Sequence, residues 1–191
     1  MTTFLYSVTA SADGYIAGPD GDMSWLRPFL SGAPDPVFEK VIPRITALLM
    51  GRTTFDGDDP HAGDPEKEGA FEGQWDGPQV VLTHRPITPT PAGFTVAHTV
   101  EEAIDAAREA AGPQGVVNVL GADIARQCLQ AGVLDEVIIT TVPLLLGNGT
   151  PLLSDATHSA RLEVLTEAPT HSSGEAHTCH YRVLRSAFWD G

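Results

Sequence analysis

The sequence is poor in positive charge. Only 11 of its 191 residues are lysine or arginine, against 25 aspartates and glutamates, and the formal net charge is −14. Proteins that bind nucleic acids or anionic membrane surfaces present clusters of basic side chains. The composition therefore excludes both as general partners, and it means that each arginine at a motif position needs an explanation.

The sequence also has few cysteines and no long apolar run. Cys128 and Cys179 are far apart and lack CxxC spacing, which favours two buried, reduced thiols over the alternative of a disulfide. No apolar run approaches the roughly 20 residues of a membrane helix. Residues 1–11 lack the basic stretch and apolar core of a signal peptide. We therefore predict a cytoplasmic protein with no membrane partner.

What is present has the composition of one globular domain over residues 1–191, with 42% hydrophobic residues. Apolar runs bounded by turn residues predict strands at 4–10, 45–50, 79–83, 94–98, 115–121, 135–145, 161–168 and 175–185. Helices are predicted at 36–42, 99–112 and 122–132, and the acidic segment 56–78 is predicted as a loop. This alternation predicts an α/β fold with a mostly parallel sheet, in which the last two strands form an antiparallel pair.

Two of the predicted helices carry clear end signals. Asp35 is placed to cap the first helix, and Pro43 closes it. In the second helix, Thr99 and Glu102 have the spacing of a capping box, and Gly112 is a stop signal. The segment 99–112 is therefore the helix whose bounds the sequence predicts best.

Glycines, hydroxyls and basic side chains follow three of the predicted strands. They are Gly51, Arg52, Thr53 and Thr54, then Thr83, His84 and Arg85, then Gly121, Ala122 and Asp123. Ligands of parallel α/β sheets bind at the carboxyl ends of the strands, and arginines and helix starts favour phosphate there. Taken singly, each feature has an ordinary alternative: a solvated arginine, a tight glycine turn, or an aspartate that complements a helix dipole. Their coincidence at three strand ends favours a phosphate cradle.

The same residues resemble a known family. The stretch MGRTTF at 50–55 resembles the cofactor-binding motif of the dihydrofolate reductase superfamily, in which a strand ends in Met-Gly-Arg and a helix begins. Further stretches follow in the same order: SADGYIAG at 11–18, VVLTHRP at 80–86, and NVLGADIARQC at 118–128. The chain is most similar to the bacterial deaminase-reductase branch, which includes the reductase domain of riboflavin biosynthesis. The resemblance implies a dihydrofolate reductase-like three-layer fold with a C-terminal antiparallel hairpin.

The resemblance also implies NADPH as the cofactor. Arg52 and the stretch 83–85 would hold the 2′-phosphate, Thr53 and Thr54 the pyrophosphate, and the turn 121–124 a second phosphate contact. Arginine suits a 2′-phosphate because its guanidinium is a fixed, permanently charged fork. The residues that the resemblance places at the cofactor are Ala10, Ala17, Gly51, Arg52, Thr53, Thr54, Thr83, His84, Arg85, Gly121, Ala122, Asp123 and Ile124.

Three further residues are catalytic candidates by the same resemblance: Asp13, Trp25 and Thr140. Each has a structural alternative. Asp13 would fix a loop turn through backbone hydrogen bonds, Trp25 would pack in the core, and Thr140 would be an ordinary strand residue. Dihydrofolate reductases place a pterin-binding acid shortly after the tryptophan loop, whereas residues 26–30 contain no carboxylate. This argues against folate, and the absence of the riboflavin reductases' Glu-Gly-Gly at 120–122 argues against their substrate.

No metal is expected. Asp58, Asp59, His61 and Asp64 could be read as ligands, but a solvated acidic loop explains them better, and His177 and His180 have no zinc-like partner pair. The function predicted is an NADPH-dependent reductase of a small heterocyclic or carbonyl-containing substrate, with a homodimer as the expectation from the branch resembled. The alternatives are a nucleotide-binding protein of the same fold without turnover, and a module that binds phosphate esters only.

Overall fold

The computed structural model describes residues 1–29, 35–57, 69–71, 73–153, 159–169 and 176–184. The strands are β1 (Thr3–Ser11), β2 (Tyr15–Ala17), β3 (Ile45–Gly51), β4 (Gln79–Leu82), β5 (Phe94–Ala97), β6 (Val116–Leu120), β7 (Leu134–Val142), β8 (Thr150–Pro151), β9 (Arg161–Pro169) and β10 (His177–Leu184). The helices are α1 (Pro36–Val41), α2 (Arg52–Asp56), α3 (Val100–Ala111) and α4 (Ala122–Gln130), and short 3₁₀ turns lie at Pro19–Gly21, Ser24–Phe29 and Ile42–Arg44.

Eight strands form one sheet in the order β5-β4-β3-β6-β1-β7-β10-β9. The first six run parallel to one another, and β10 pairs antiparallel with both β7 and β9. The predicted mostly parallel sheet and its antiparallel C-terminal pair are therefore confirmed. Because β3, β4, β6, β1 and β7 are parallel, their carboxyl ends meet at one edge, where the predicted cradle residues lie.

The sheet is covered on both faces, so the predicted three layers are confirmed. On one face α3 and α4 bury their apolar sides, including Ile104 and Ile124, against β1, β3 and β6. On the other face α1 packs Val37 and Val41 over the same strands. A strand buried on both sides reads as a continuous apolar run, which explains β3, where the adjacent Leu48 and Leu49 are both 0% exposed.

The predicted helix caps are confirmed. The Thr99 hydroxyl accepts from the Glu102 backbone N–H at 3.2 Å, and the Glu102 carboxylate accepts from the Thr99 backbone N–H. Gly112 follows the last residue of α3 with a φ of 75°. Asp35 caps α1 by accepting from the Val37 N–H at 2.7 Å. Helix α1 ends at Val41, one residue earlier than predicted, because the chain continues as a 3₁₀ turn through Pro43.

Some elements differ from the sequence-based expectation. The two-stranded sheet of β2 and β8 was not predicted, because both strands are short and lie among turn residues. Strand β7 ends at Val142 rather than near Leu145, since Pro143 follows and has no N–H for a ladder hydrogen bond. Both cysteines are buried and free, as predicted. Within the described ranges, no helix combines the length and the apolar composition needed to cross a membrane.

Candidate active site

The loops after β3 and β6 meet at the carboxyl edge of the sheet. Gly51 ends β3 and α2 begins at once, while Gly121 links β6 to α4. The Thr54 hydroxyl lies 3.5 Å from the Leu120 carbonyl oxygen. A Cβ at Gly121 would lie 2.7 Å from that hydroxyl, and the φ of Gly121 is 99°. Position 121 therefore requires glycine for two reasons: the positive φ of its backbone and the close approach of the two loops.

The two arginines predicted to bind phosphate converge on one carboxylate oxygen. Arg52 Nε donates to Asp56 Oδ2 at 2.6 Å, and Arg85 Nη2 lies 3.6 Å from the same oxygen. Arg52 Nη1 also donates to the Pro86 carbonyl at 3.4 Å. The Arg52 side chain is 25% exposed and that of Arg85 70%. Both guanidinium groups can thus be reached by a ligand from solvent.

Thr83 and His84 occupy different environments from Arg85, although they adjoin it in the sequence. Thr83 is 3% exposed, and its hydroxyl accepts from the Arg85 N–H at 3.1 Å. Its carbonyl oxygen lies 2.7 Å from Nδ1 of His98. His84 is exposed. Thr83 therefore shapes the turn that presents Arg85, while His84 is open to solvent at the same strand end.

At the start of α4, only backbone groups are available from two of the predicted residues. Ala122 and Ile124 are buried, at 4% and 1% exposure. The Asp123 carboxylate is held on the helix itself, by Arg126 and by Gln127 Nε2 at 2.8 Å. These contacts match the alternative in which Asp123 serves its own helix. The unpaired N–H groups of the first turn are the part of α4 that can face an anion.

Asp13 ties two loops together. Its carboxylate accepts from the Ser11 hydroxyl at 2.6 Å and from the backbone N–H groups of Leu146 and Gly147 at 3.0 and 2.7 Å. The Ser11 hydrogen bond is the largest cause that lowers the pKa of Asp13 to about 2. The group is exposed and ionised at neutral pH, so it is not suited to donate a proton. Its contacts are those expected of the turn-fixing alternative.

The two predicted alanines are buried, Ala10 near the end of β1 and Ala17 at the end of β2. Ala10 is 2% exposed and Ala17 is 8% exposed. A Cβ at Gly149 would lie 2.0 Å from the Ala17 carbonyl oxygen, so the 143–149 loop touches β2 directly. This close packing holds β2 against the 143–149 loop. Because both alanines are buried, only a small apolar surface of each is left for contact with a ligand.

Hydrogen bonds connect the Thr140 hydroxyl, through Thr178, to the carboxylate of Asp35, which the sequence did not predict at the site. The Thr140 hydroxyl lies 2.8 Å from that of Thr178 on β10, and the Thr178 hydroxyl donates to Asp35 Oδ2 at 2.6 Å. Thr140 is 5% exposed and Thr178 is 0% exposed. Since the proton of Thr178 goes to Asp35, the Thr140 hydroxyl donates to Thr178. The oxygen of Thr140 is then left as an acceptor.

Asp35 supplies a carboxylate a few residues after the stretch 26–30. That stretch lacks a carboxylate, but Asp35 accepts from Thr178, whose hydroxyl lies 2.8 Å from that of Thr140, and Thr140 pairs with Thr9 of β1. The argument against folate from residues 26–30 stays a prediction, and it did not take Asp35 into account. Asp35 was explained locally as the cap of α1, and its second oxygen pairs with a residue 143 positions away. No short-range sequence signal could have shown that pairing.

Two buried donors lack hydrogen-bond partners in the part of the chain that the structure describes: Trp25 Nε1 and Asn118 Nδ2. Trp25 lies in the 3₁₀ turn Ser24–Phe29, and Asn118 is on β6, where its Oδ1 accepts from the Ser7 hydroxyl at 2.8 Å. A buried N–H without a partner is costly, so such groups point to an external acceptor, either a ligand or water. For Trp25 this adds a polar role to the alternative of core packing.

No group of three or more histidine, cysteine, aspartate or glutamate side chains suited to a metal is found among the described residues. The acidic stretch with Asp58, Asp59, His61 and Asp64 lies outside them. His180 is accounted for by Glu136, whose Oε2 is 2.8 Å from its Nε2. That hydrogen bond is the main cause that lowers the pKa of Glu136.

Solved structures with the same fold include a protein named for riboflavin biosynthesis and a dihydrofolate reductase. A Shewanella sp. PV-4 protein named "Putative riboflavin biosynthesis protein" is 23% identical, covers 96% of this chain and 99% of its own, and has a TM-score of 0.69. Dihydrofolate reductase from Enterococcus faecalis, complexed with NADP(H) and RAB-propyl, is 20% identical over 95% of this chain and 96% of its own, with a TM-score of 0.62. The dihydrofolate reductase-like fold predicted from the sequence is thus confirmed.

A bifunctional enzyme shares the fold over part of its length. It is the diaminohydroxyphosphoribosylaminopyrimidine deaminase/5-amino-6-(5-phosphoribosylamino)uracil reductase of Thermotoga maritima, 17% identical with a TM-score of 0.63. The match covers 96% of this chain and 57% of that enzyme. In sequence, the chain is 26% identical to the uncharacterized protein YwjB of Bacillus subtilis (strain 168), over 94% of this chain and 96% of that one.

The family model of the RibD C-terminal domain matches residues 3–169. That range begins with β1 and includes both strand-end loops, α4, β7 and β9. The match thus takes in the whole predicted cradle together with Thr140. The chain belongs to the RibD C-terminal domain family.

Proposed function

We propose that the protein is an NADPH-dependent reductase of a small heterocyclic or carbonyl-containing substrate. The observation that carries the proposal is the meeting of two arginines, the Thr54 hydroxyl and the Gly121 turn at one edge of the sheet. The family and the fold shared with a reductase and with an NADP(H) complex support it.

The residues at this edge fit a phosphorylated dinucleotide. Arg52 and Arg85 would hold the 2′-phosphate, because guanidinium groups bind phosphate oxygens in pairs. The hydroxyls of Thr53 and Thr54 are exposed and would donate to the pyrophosphate. The first turn of α4 would add backbone N–H groups, and Gly121 lets that turn approach closely.

The substrate would lie over the other end of the same edge, against β1, β7 and α1. When bound, NADPH supplies a hydride to the substrate. The chain's own part is to orient the acceptor and exclude water around it. The chain from Thr140 through Thr178 to Asp35 presents an acceptor oxygen, so it would bind an N–H or O–H donor of the substrate. The indole N–H of Trp25 is a donor that a substrate carbonyl could accept from.

The first test is a fluorescence titration with NADPH and, separately, with NADH. We expect the wild type to bind NADPH more tightly, and the double variant Arg52→Ala/Arg85→Ala to lose that preference, because both guanidinium groups would be gone. Binding of NADH should change little in the variant and serves as its control. An unchanged preference for NADPH in the double variant would refute the assignment of the arginines.

Turnover is tested separately from binding. Steady oxidation of NADPH with a pterin, flavin precursor or quinone would support the reductase. Binding of NADPH without oxidation across such a screen would instead support a nucleotide-binding protein of the same fold. A simple phosphate ester that displaces NADPH at equal concentration would point to a phosphate-ester module.

A further inference from the structure

We propose that Asp56 sets the cofactor preference of this site by occupying the place between Arg52 and Arg85 that a 2′-phosphate would take. The proposal rests on the assignment of the cofactor cradle above. In this proposal Asp56 lowers the preference for NADPH over NADH, whereas the two arginines alone would raise that preference.

The position of Asp56 is defined by one oxygen. Oδ2 accepts from Arg52 Nε at 2.6 Å and lies 3.6 Å from Arg85 Nη2. The Asp56 side chain is 42% exposed, so this bridge lies at the surface rather than inside the core. An anion seated between the two guanidinium groups would meet this carboxylate first.

Helix stability does not explain the carboxylate. Asp56 is the last residue of α2, where the helix dipole disfavours negative charge. Its pairing with Arg52 four residues earlier also has the less favourable order, with the cation on the N-terminal side. The placement is instead the one that brings a carboxylate to both arginines at once.

The chemistry of the two cofactors makes Asp56 selective. A phosphate monoester carries about −1.5 to −2 charges at neutral pH and needs the guanidinium donors that Asp56 now takes. It must therefore displace the carboxylate or bind against its charge. The 2′-hydroxyl of an unphosphorylated ribose can instead donate to a carboxylate, as in sites that select NADH. Asp56 thus weakens binding of NADPH and offers NADH an acceptor.

The test compares Asp56→Asn with the wild type by calorimetric titration of adenosine 2′,5′-bisphosphate and of 5′-AMP. Asparagine keeps the shape of the side chain and removes its charge. We expect affinity for the bisphosphate to rise about tenfold, because a neutral amide no longer occupies the Arg52 and Arg85 donors that the 2′-phosphate needs. Affinity for 5′-AMP should stay the same or fall slightly.

Asp105→Asn is the matched control. Asp105 forms an i,i+3 ion pair with Arg108 on α3, and its side chain is 78% exposed. It removes the same unit of charge from the molecule away from the cradle, so we expect both affinities to be unchanged. A gain in Asp105→Asn equal to that in Asp56→Asn would overturn the proposal, because net charge alone would then explain it.

A second background checks that the arginines carry the effect. In Arg52→Ala/Arg85→Ala, the further change Asp56→Asn should give no gain for the bisphosphate. If wild type binds NADPH but Asp56→Asn leaves the bisphosphate unchanged or weaker, the role of Asp56 is wrong and the cradle stands. If wild type binds neither NADPH nor the bisphosphate, the cradle itself fails, and the role of Asp56 fails with it.

Discussion

At the scale of single residues, Asp35 does two jobs with its two oxygens. Oδ1 accepts from the Val37 N–H to cap α1, and Oδ2 accepts from Thr178. The same carboxylate therefore fixes where the helix begins and orients two hydroxyls on the strands below it. A substitution at this position must be chosen so that the two roles can be separated.

Asp35→Asn separates them. Asparagine is as good an N-cap as aspartate, so we expect the free energy of unfolding to change by less than about 1 kcal/mol. Turnover should fall about 100-fold, because the charge that orders the Thr178 and Thr140 hydroxyls is lost. The NADPH dissociation constant should not change. Steady-state kinetics, urea unfolding and a fluorescence titration with NADPH measure the three quantities, and a weaker cofactor affinity equal to the loss in turnover would contradict the assignment.

The lowered pKa of Asp13 predicts that the folded protein loses stability at low pH. Its pKa is lowered to about 2 in the folded chain from the ordinary aspartate value of 3.8, so the unfolded chain takes up the proton first. The stabilisation by Asp13 is therefore present above pH about 4 and is lost as the pH falls toward 2. Thermal unfolding followed over this range should be steeper in pH for wild type than for Asp13→Asn. Parallel profiles would show that the carboxylate contributes nothing to folding.

At the scale of elements, the junction between β6 and α4 depends on Gly121. Alanine there would face both a φ of 99° and a Thr54 hydroxyl 2.7 Å from the new Cβ. We expect Gly121→Ala to lower the free energy of unfolding by about 1–3 kcal/mol and to weaken NADPH binding, because the turn would move away from α2.

Gly51→Ala is the control for that junction. Gly51 has a φ of −87°, and a Cβ there would meet no atom within 4 Å. Alanine at this position should leave the free energy of unfolding nearly unchanged. Denaturant unfolding of the two variants side by side tests the difference, and equal losses would mean that strain at Gly121 is not what matters.

The elements also show which patterns a sequence can reveal. Strand β3 and helix α3 were predicted within one or two residues, because an apolar run and a capping box are local signals. The small sheet of β2 and β8 was missed, since Ala17 pairs with Thr150 across more than a hundred residues of chain. Neither strand is long enough to show a period of its own.

At the scale of the whole molecule, the two ends of the site differ in how far the sequence could predict them. The cradle lies directly after predicted strands, so parallel topology alone brings Arg52, Arg85 and Gly121 to one edge. The proposed substrate end depends on the C-terminal hairpin, whose β10 places Thr178 opposite Thr140. That register follows from the packing of the finished sheet and could not be derived from either strand by itself.

Because β10 pairs antiparallel with β7, the two parts of the proposed site come from separate parts of the sequence. Residues 51–124 supply every group of the proposed phosphate cradle, whereas the proposed substrate contact at Thr140 depends on Thr178 of β10. On the proposed function, changes in the hairpin would alter the substrate contacts and leave the cofactor cradle unchanged. We expect members of this family to diverge in substrate chiefly by replacing residues on β10, while the coenzyme they use stays the same.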